Sequence, residues 1–186
     1  MIFIVEGMDN CGKSTLIENL RKDFFARAKT IIHHSSAPPK SVDFPDLWER
    51  KHYDDLFFTF KSLVDWEDYD VILDRFHLGA QVYGAKYRQS EPGPILAIDK
   101  SHLTGYNSAA TLLLTDSYES IISRDDGKSI ETTPEEYNDV RVRFIEAFNK
   151  SVCPHKLHID ISRDLAGGME ELLPAVVDWL YEIQWY

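Results

Sequence analysis

The feature that most constrains this chain is a glycine-rich segment close to its N-terminus. Residues 2–5 are all apolar, and the pattern Gly-x-x-x-x-Gly-Lys-Ser follows at positions 7–14. Apolar side chains then recur at helical spacing between positions 16 and 24. A strand, a tight turn and a helix in this order direct backbone NH groups and the positive end of the helix dipole at one point. The segment therefore predicts a phosphate-binding loop within a strand–turn–helix unit.

Short apolar runs between amphipathic stretches predict the rest of the architecture. They occupy positions 2–5, 30–33, 71–73, 111–115 and 156–159, and each is typical of a buried parallel strand. A capping box at 133–136 begins one helix, and a last helix is expected over roughly 169–183. The proline-containing pieces 37–40 and 91–94 suggest surface loops. We expect one α/β domain over residues 1–186, a three-layer sandwich around a five-stranded parallel sheet.

Side chains of the glycine-rich loop have expected roles when ATP and Mg²⁺ are bound. Lys13 would bridge the β- and γ-phosphates, and Ser14 would ligate Mg²⁺. Asp74 follows the run 71–73, at the sheet edge where ligands collect, and would position the same ion through water. The alternative for Asp74 is a carboxylate that caps the following helix. The residues expected to contact ATP in this segment are Gly7, Asn10, Cys11, Gly12, Lys13, Ser14 and Thr15.

Charge and cysteine content restrict the partners. The formal net charge of -11 and a pI near 5.0 disfavour a broad nucleic-acid-binding face. The apolar run at the N-terminus is too short for a membrane span, so a cytoplasmic protein is expected. Cys11 and Cys153 have no metal-ligand spacing and are expected to be free thiols. Cys11 is either a reactive thiol at a helix N-terminus or, as we favour, a spacer in the loop.

Two motifs resemble the thymidylate kinase family. They are the stretch 6–15, Glu-Gly-x-Asp-x-x-Gly-Lys-Ser-Thr, and the later Asp-Arg-Phe at 74–76. Residues 123–126 and the helix after them are similar to the family's lid, here about 123–133. The resemblance implies a P-loop kinase fold in which the strand ending at Asp74 lies beside the first strand. It also implies ATP and Mg²⁺ as cofactors and a small nucleotide as substrate, and it leaves a homodimer open.

The resemblance also implies roles for individual residues. Asp9 would accept a hydrogen bond from the acceptor's 3′-hydroxyl, and Arg75 would bind its phosphate in a bidentate contact. Tyr83 would pack under the sugar, although it could equally belong to a helix core. Arg124 on the lid would neutralise charge on the transferring phosphoryl group, and Lys128 would assist or remain a solvated charge. The catalytic set is therefore expected to be Lys13, Asp9, Arg75 and Arg124.

The acceptor half departs from the family pattern. The segment 34–40 replaces the family's Arg-Glu-Pro, so one arginine for the acceptor phosphate is absent and Lys40 is a possible substitute. Phe57, Phe58 and Lys61 approximate the family's base-stacking Phe-x-x-x-Arg, but lysine lacks the planar fork of arginine. An aromatic stripe at helical spacing is as readily a core face. The base of the acceptor therefore stays open.

These observations favour ATP-dependent phosphorylation of a deoxynucleoside monophosphate, such as dTMP or 5-hydroxymethyl-dUMP. One alternative is a kinase that acts on 5-hydroxymethyluracil within DNA, the only case in which DNA would be a partner. A second is a deoxynucleoside kinase, which needs no arginine for an acceptor phosphate. A nucleotide switch protein is disfavoured because the sequence has no guanine-reading Asn-Lys-x-Asp.

Overall fold

A five-stranded parallel sheet forms the centre of the computed structural model, which describes residues 1–26, 28–35, 38–39, 43–91, 93–124, 127 and 131–183. The strand order is β2-β3-β1-β4-β5. This arrangement confirms the predicted sheet, including the position of the third strand beside the first. The strands are β1 Ile2–Gly7, β2 Lys29–His34, β3 Tyr69–Asp74, β4 Ala109–Thr115 and β5 His155–Asp160.

The register of the sheet brings the carboxyl ends of three strands together. Val5 pairs with Asp74 of β3 on one side of β1 and with Leu112 of β4 on the other. From β1 the sheet extends through β3 to β2 on one side and through β4 to β5 on the other. A crevice opens at such a reversal of strand order, just beyond the carboxyl end of the central strand. In this chain the glycine-rich loop leaves β1 at that position.

Helices cover both faces of the sheet. One face packs against α1, α3, α6 and α8 through Leu16, Leu78, Phe144 and Val176, all buried. The other face packs against α2 and α4, with Phe57 and Ile98 in its core. The helices are α1 Lys13–Lys22, α2 Pro45–Glu67, α3 His77–Tyr83, α4 Gly93–Leu103, α5 Tyr118–Ile122, α6 Pro134–Lys150, α7 Ile161–Asp164 and α8 Met169–Ile183.

The capping signal before α6 is present in the structure. The Thr133 hydroxyl accepts a hydrogen bond from the backbone NH of Glu136 at 3.2 Å, and Pro134 occupies the first turn. The Glu136 carboxylate in turn accepts from the NH of Thr132 at 3.1 Å. The first bond satisfies an NH group that the first turn of a helix leaves without a partner, and the second ties the residue before the cap to the helix.

Two features of the segment after α3 were not expected from the sequence. A π-helical turn, Gly84–Arg88, continues α3 and ends where Gln89 adopts a positive φ of 56°. The segment 91–94, expected to be a loop, instead contains the start of α4 at Gly93. A proline in the first helical turn removes no hydrogen bond, so Pro94 is compatible with this start. Among the described residues, no helix is long and apolar enough to cross a membrane.

Candidate active site

The glycine-rich loop connects β1 to α1, and its glycines are required by close contacts. Gly7 has a φ of 141°, and a Cβ at this position would lie 2.2 Å from the carbonyl oxygen of Leu114 on β4. Gly12 has a φ of 77°, and a Cβ there would lie 2.1 Å from the terminal methyl of Met169. A larger residue at position 7 would therefore push the loop away from the sheet, whereas at position 12 the left-handed φ is the stronger requirement, because the flexible Met169 side chain can move. The loop ends at the N-terminus of a ten-residue helix, which favours an anion.

Lys13 is held inside this loop. Its ammonium group donates a hydrogen bond to the carbonyl oxygen of Met8, and the residue is buried. Burial lowers the pKa of Lys13, although the nearby charges of Asp74 and Glu6 oppose that shift. The only hydrogen bond described for this cation is to a backbone carbonyl, so an incoming phosphate would offer it a stronger, charge-assisted partner.

The turn after β3 places Asp74 and Arg75 opposite the loop. The NH of Arg75 donates to the carbonyl oxygen of Val5 at 2.9 Å, and Arg75 adopts a left-handed φ of 58°. The Arg75 guanidinium pairs with the Asp9 carboxylate across the cleft. His34, at the end of β2, has its Nδ1 atom 2.9 Å from one oxygen of Asp74. The structure thus brings Asp9, Asp74 and Arg75 together at the mouth of the loop.

Glu6 holds this turn in place through hydrogen bonds to three backbone NH groups, a role that its local sequence does not reveal. Its carboxylate is fully buried. One oxygen accepts from the NH groups of Phe76 and Leu78 at 3.0 and 2.9 Å, and the other accepts from Gly79 at 3.1 Å. Burial raises the pKa of Glu6, while the charge of His77 and the three NH donors act in the opposite direction. Glu6 therefore joins the end of β1 to the start of α3.

Arg124, which the family resemblance assigns to a lid, pairs with a second buried carboxylate. Arg124 pairs with Asp116, which lies just after β4 and is 1% exposed. The Ser120 hydroxyl donates to the same Asp116 oxygen at 2.8 Å. Farther along the chain, the Tyr87 hydroxyl donates to the buried Glu131 at 2.7 Å. Positions 125, 126 and 128–130, which include Lys128, lie outside the described residues, as does Lys40.

These elements enclose a cleft of about 560 Å³ at the carboxyl edge of the sheet. A second cleft of about 280 Å³ lies beside it, at the ends of β4 and β5, with Asp116, Tyr137 and Arg141 in its lining. The Arg124–Asp116 pair stands between the two, since Arg124 lines the first and Asp116 the second. The larger cleft is lined by Asp9, Asn10, Gly12, Lys13, Ser14, Thr15, His34, Ser35, Asp74, Arg75 and Arg124.

Ser14 and Asp74 are suited to hold Mg²⁺ in the larger cleft. Both supply hard oxygen atoms to its lining, and the second carboxylate oxygen of Asp74 is buried without a hydrogen-bond partner. The described residues contain no cluster of three or more histidine, cysteine or acidic side chains that could bind a metal. Mg²⁺ in nucleotide sites typically takes one or two protein ligands and completes its shell with phosphate oxygens and water. The donor set therefore fits this ion.

Other predicted residues do not line the cleft. Cys11 is buried, and burial raises the pKa of its thiol to about 11, which fits a spacer rather than a reactive group. Phe57 is fully buried, with its ring stacked on His102 at 5.0 Å and against Phe76 at 4.7 Å. A ring with no exposed face cannot stack on a base, so the structure makes Phe57 a core residue.

Phe58 and Lys61 also lie away from the cleft. Phe58 is 70% exposed, on the face of α2 that points away from the core, and Lys61 donates to the carbonyl of His102 at 3.2 Å. Tyr83 is not among the residues that line the cleft either. Its ring packs on Phe144 and Tyr87 with centroids 5.6 and 6.1 Å away, which satisfies the core alternative, and its hydroxyl is buried without a hydrogen-bond partner.

Comparison with solved structures identifies the fold. The Bacillus subtilis YorR protein, solved in complex with phosphorylated GDP, matches with a TM-score of 0.64 at 19% identity over 99% of this chain and 97% of its own. Thymidylate kinase from Candida albicans matches with a TM-score of 0.59 at 20% identity over 98% of this chain and 89% of its own. Neither a scan of protein-family models nor a search of curated proteins found a match. The chain therefore has the P-loop kinase fold expected from its sequence motifs.

Proposed function

We propose that this protein is a nucleoside monophosphate kinase that transfers the γ-phosphoryl group of ATP to a deoxynucleoside monophosphate, with dTMP or 5-hydroxymethyl-dUMP as the first candidates. The observation that supports it best is the position of Arg75. A rigid turn presents this guanidinium in the same cleft as Lys13, so the cleft has one cation for the donor phosphates and another for an acceptor phosphate. A kinase for free nucleosides would not need the second cation.

The proposed reaction requires little covalent chemistry from the protein. An oxygen of the acceptor phosphate forms a bond to the γ-phosphorus, the bond from that phosphorus to the bridging oxygen breaks, and ADP leaves with the electron pair. Lys13 and the loop amides hold the donor phosphates, and Arg75 holds the acceptor phosphate. Arg124 places positive charge where negative charge develops in the transition state. Bound Mg²⁺, held by Ser14 and Asp74, would neutralise phosphate charge.

The remaining parts of the substrates fit the surroundings of the cleft. We place the nucleoside part of ATP in the smaller cleft beside the Arg124–Asp116 pair, at the ends of β4 and β5. Asp9 would turn from Arg75 toward the acceptor's 3′-hydroxyl once the phosphate takes its place. Every one of these residues comes from one chain, so the proposal holds for a monomer or a homodimer. Buried free thiols suit the reducing cytoplasm, where we place the reaction.

The test is an acceptor panel with γ-labelled ATP. The acceptors are dTMP, 5-hydroxymethyl-dUMP, the other common monophosphates, free nucleosides, and duplex DNA that contains 5-hydroxymethyluracil. We expect label in a nucleoside diphosphate, and none with Lys13→Ala. Lys22→Ala is the matched control, because this lysine of α1 is exposed and remote from the loop. Label that appears only in DNA, or only in monophosphates made from nucleosides, would contradict the proposal and support the corresponding alternative.

A further inference from the structure

A partly buried ion pair joins α2 to the π-helical turn and has no part in the phosphate chemistry. Arg88, the last residue of the π-helical turn, donates to the carboxylate of Glu49 on α2. Glu49 is 2% exposed, and the Arg88 side chain is 24% exposed. Removing two charges from water is costly, and an ion pair that only joins two helices could be replaced by apolar side chains. The pair therefore calls for a reason other than stability.

Its neighbours place the pair next to the sugar and phosphate sites. Gly84 directly follows Tyr83, and a Cβ on Gly84 would lie 3.1 Å from a terminal nitrogen of Arg88 and 3.5 Å from a Glu49 oxygen. On the other side lies Tyr53, whose ring contacts Phe76 with centroids 5.0 Å apart. Burial raises the pKa of Tyr53, and the charges of Glu49 and Glu6 raise it further. The pair thus lies between Tyr83 and the turn that carries Arg75.

The same region contains several buried polar atoms without a hydrogen-bond partner. They belong to four different residues in the described part of the chain, and one of those residues, Ser35, also lines the phosphate cleft. Unpartnered buried polar groups are unfavourable, so a set of them in one region indicates a place where a polar ligand supplies the partners. A π-helical turn is also rare and is frequent at functional sites. The atoms are Ser35 Oγ, Tyr83 OH, Arg88 Nε and Ser90 Oγ.

We propose that Glu49 and Arg88 recognise the base of the acceptor nucleotide. The inference rests on the proposed function, because it assumes that the sugar lies at Tyr83 and the phosphate at Arg75. Arg88 donates to an acceptor atom of the base edge, and Glu49, which can only accept when ionised, takes an NH of the same edge. A base edge that offers a donor beside an acceptor would satisfy both. The pair would then make the base contacts that the family resemblance assigned to Phe57, Phe58 and Lys61.

Binding and transfer measurements on the same variants test this role. Calorimetry would compare dTMP, dCMP, dGMP, dAMP and 2-deoxyribose 5-phosphate, which has the sugar and phosphate but no base. The variants are Glu49→Gln, Arg88→Lys and Gly84→Ala, the last of which pushes on the pair without changing charge. Glu18→Gln is the matched control, since it removes the same charge from an exposed pair on α1.

We expect each variant to weaken binding of the preferred nucleotide by on the order of tenfold or more and to reduce the differences among bases. Binding of 2-deoxyribose 5-phosphate and the KM for ATP should stay as in the wild type. An unchanged ranking of bases would overturn the proposal, and so would an equal loss for the sugar phosphate, which indicates a purely structural pair. The proposed function fails separately, if the wild type binds monophosphates with base preference but transfers no label to them.

Discussion

Replacing Glu6 by glutamine tests whether one buried carboxylate holds the turn that presents Arg75. The two side chains have nearly the same shape, so the change alters hydrogen bonding without opening a cavity. A carboxylate accepts at both oxygens, whereas a glutamine amide accepts at one and donates at the other. In the best orientation the amide keeps the bonds from Phe76 and Leu78. The NH of Gly79 then faces an NH₂ group in place of an oxygen at 3.1 Å.

The expected cost follows from this count. One buried NH left without an acceptor costs about 1–3 kcal/mol. Part of this cost is offset because a neutral glutamine avoids the penalty of burying a charge. The same penalty raises the pKa of Glu6. We therefore expect the free energy of unfolding to fall by about 1–2 kcal/mol at a pH where Glu6 is ionised. For a carboxyl group with a raised pKa in the folded state, wild-type stability declines as the pH rises through that pKa, so the gap between the two proteins should narrow toward higher pH.

The assay combines denaturant unfolding across pH with acceptor kinetics. Because Arg75 adopts a left-handed conformation that costs about 1–2 kcal/mol, weaker support of the turn should let it relax and raise the KM for the acceptor but not for ATP. Glu18→Gln on the exposed face of α1 provides the baseline. An unfolding free energy within about 0.5 kcal/mol of the wild type, together with an unchanged acceptor KM, would refute the role assigned to Glu6.

Three further predictions concern other parts of the site and core. Arg124→Ala should lower kcat by about a thousandfold with little change in ATP affinity, measured by single turnover and nucleotide binding, because this arginine acts on the transition state; equal losses in both would argue for ground-state binding. Cys11 and Cys153 are buried with pKa values raised to about 11, so a thiol reagent at pH 8 should label neither in the native protein and both in denaturant; rapid native labelling would contradict their burial. Burial by itself would raise the pKa of Asp99, but the hydrogen bond and charge of His77 and two further donors lower it. The stability that Asp99 confers should therefore be lost as the pH falls below about 4, and Asp99→Asn should flatten the decline of the unfolding free energy at acid pH. An unchanged decline in the variant would rule this out.

The glycine-rich loop could be predicted from the sequence because its determinants are local. Glycines at fixed spacing after an apolar run specify the loop, and the contact of Gly7 with Leu114 shows why no other residue fits there. Glu6 and Asp116 were missed for the opposite reason. Each acts on groups far away in the chain or in a separate loop, and nothing in its local sequence distinguishes a buried carboxylate from an exposed one.

For the aromatic residues of α2, helical periodicity predicts the side-chain positions better than the family resemblance does. Tyr53, Phe57 and Phe60 recur at spacings of four and three, which is the pattern of a buried helix face, and all three are in the core. That periodicity alone indicates that Phe57 faces inward and Phe58 outward. The Glu49–Arg88 pair could not be predicted in this way, since it depends on a π-helical turn that displaces Arg88 from ordinary helical spacing.

Because β1 is the middle strand of the sheet, the donor and acceptor sites of the proposed reaction would both be attached to this strand. Gly7 begins the donor loop, and the residue immediately before it supports the turn that presents Arg75. A small displacement of this strand, caused by heat or by a substitution in a distant helix, would carry both sites with it. The separation between the γ-phosphorus and the attacking oxygen would then change much less than the position of either. Because both sites are attached to β1, substitutions in the outer helices would leave the attacking oxygen in line with the γ-phosphorus.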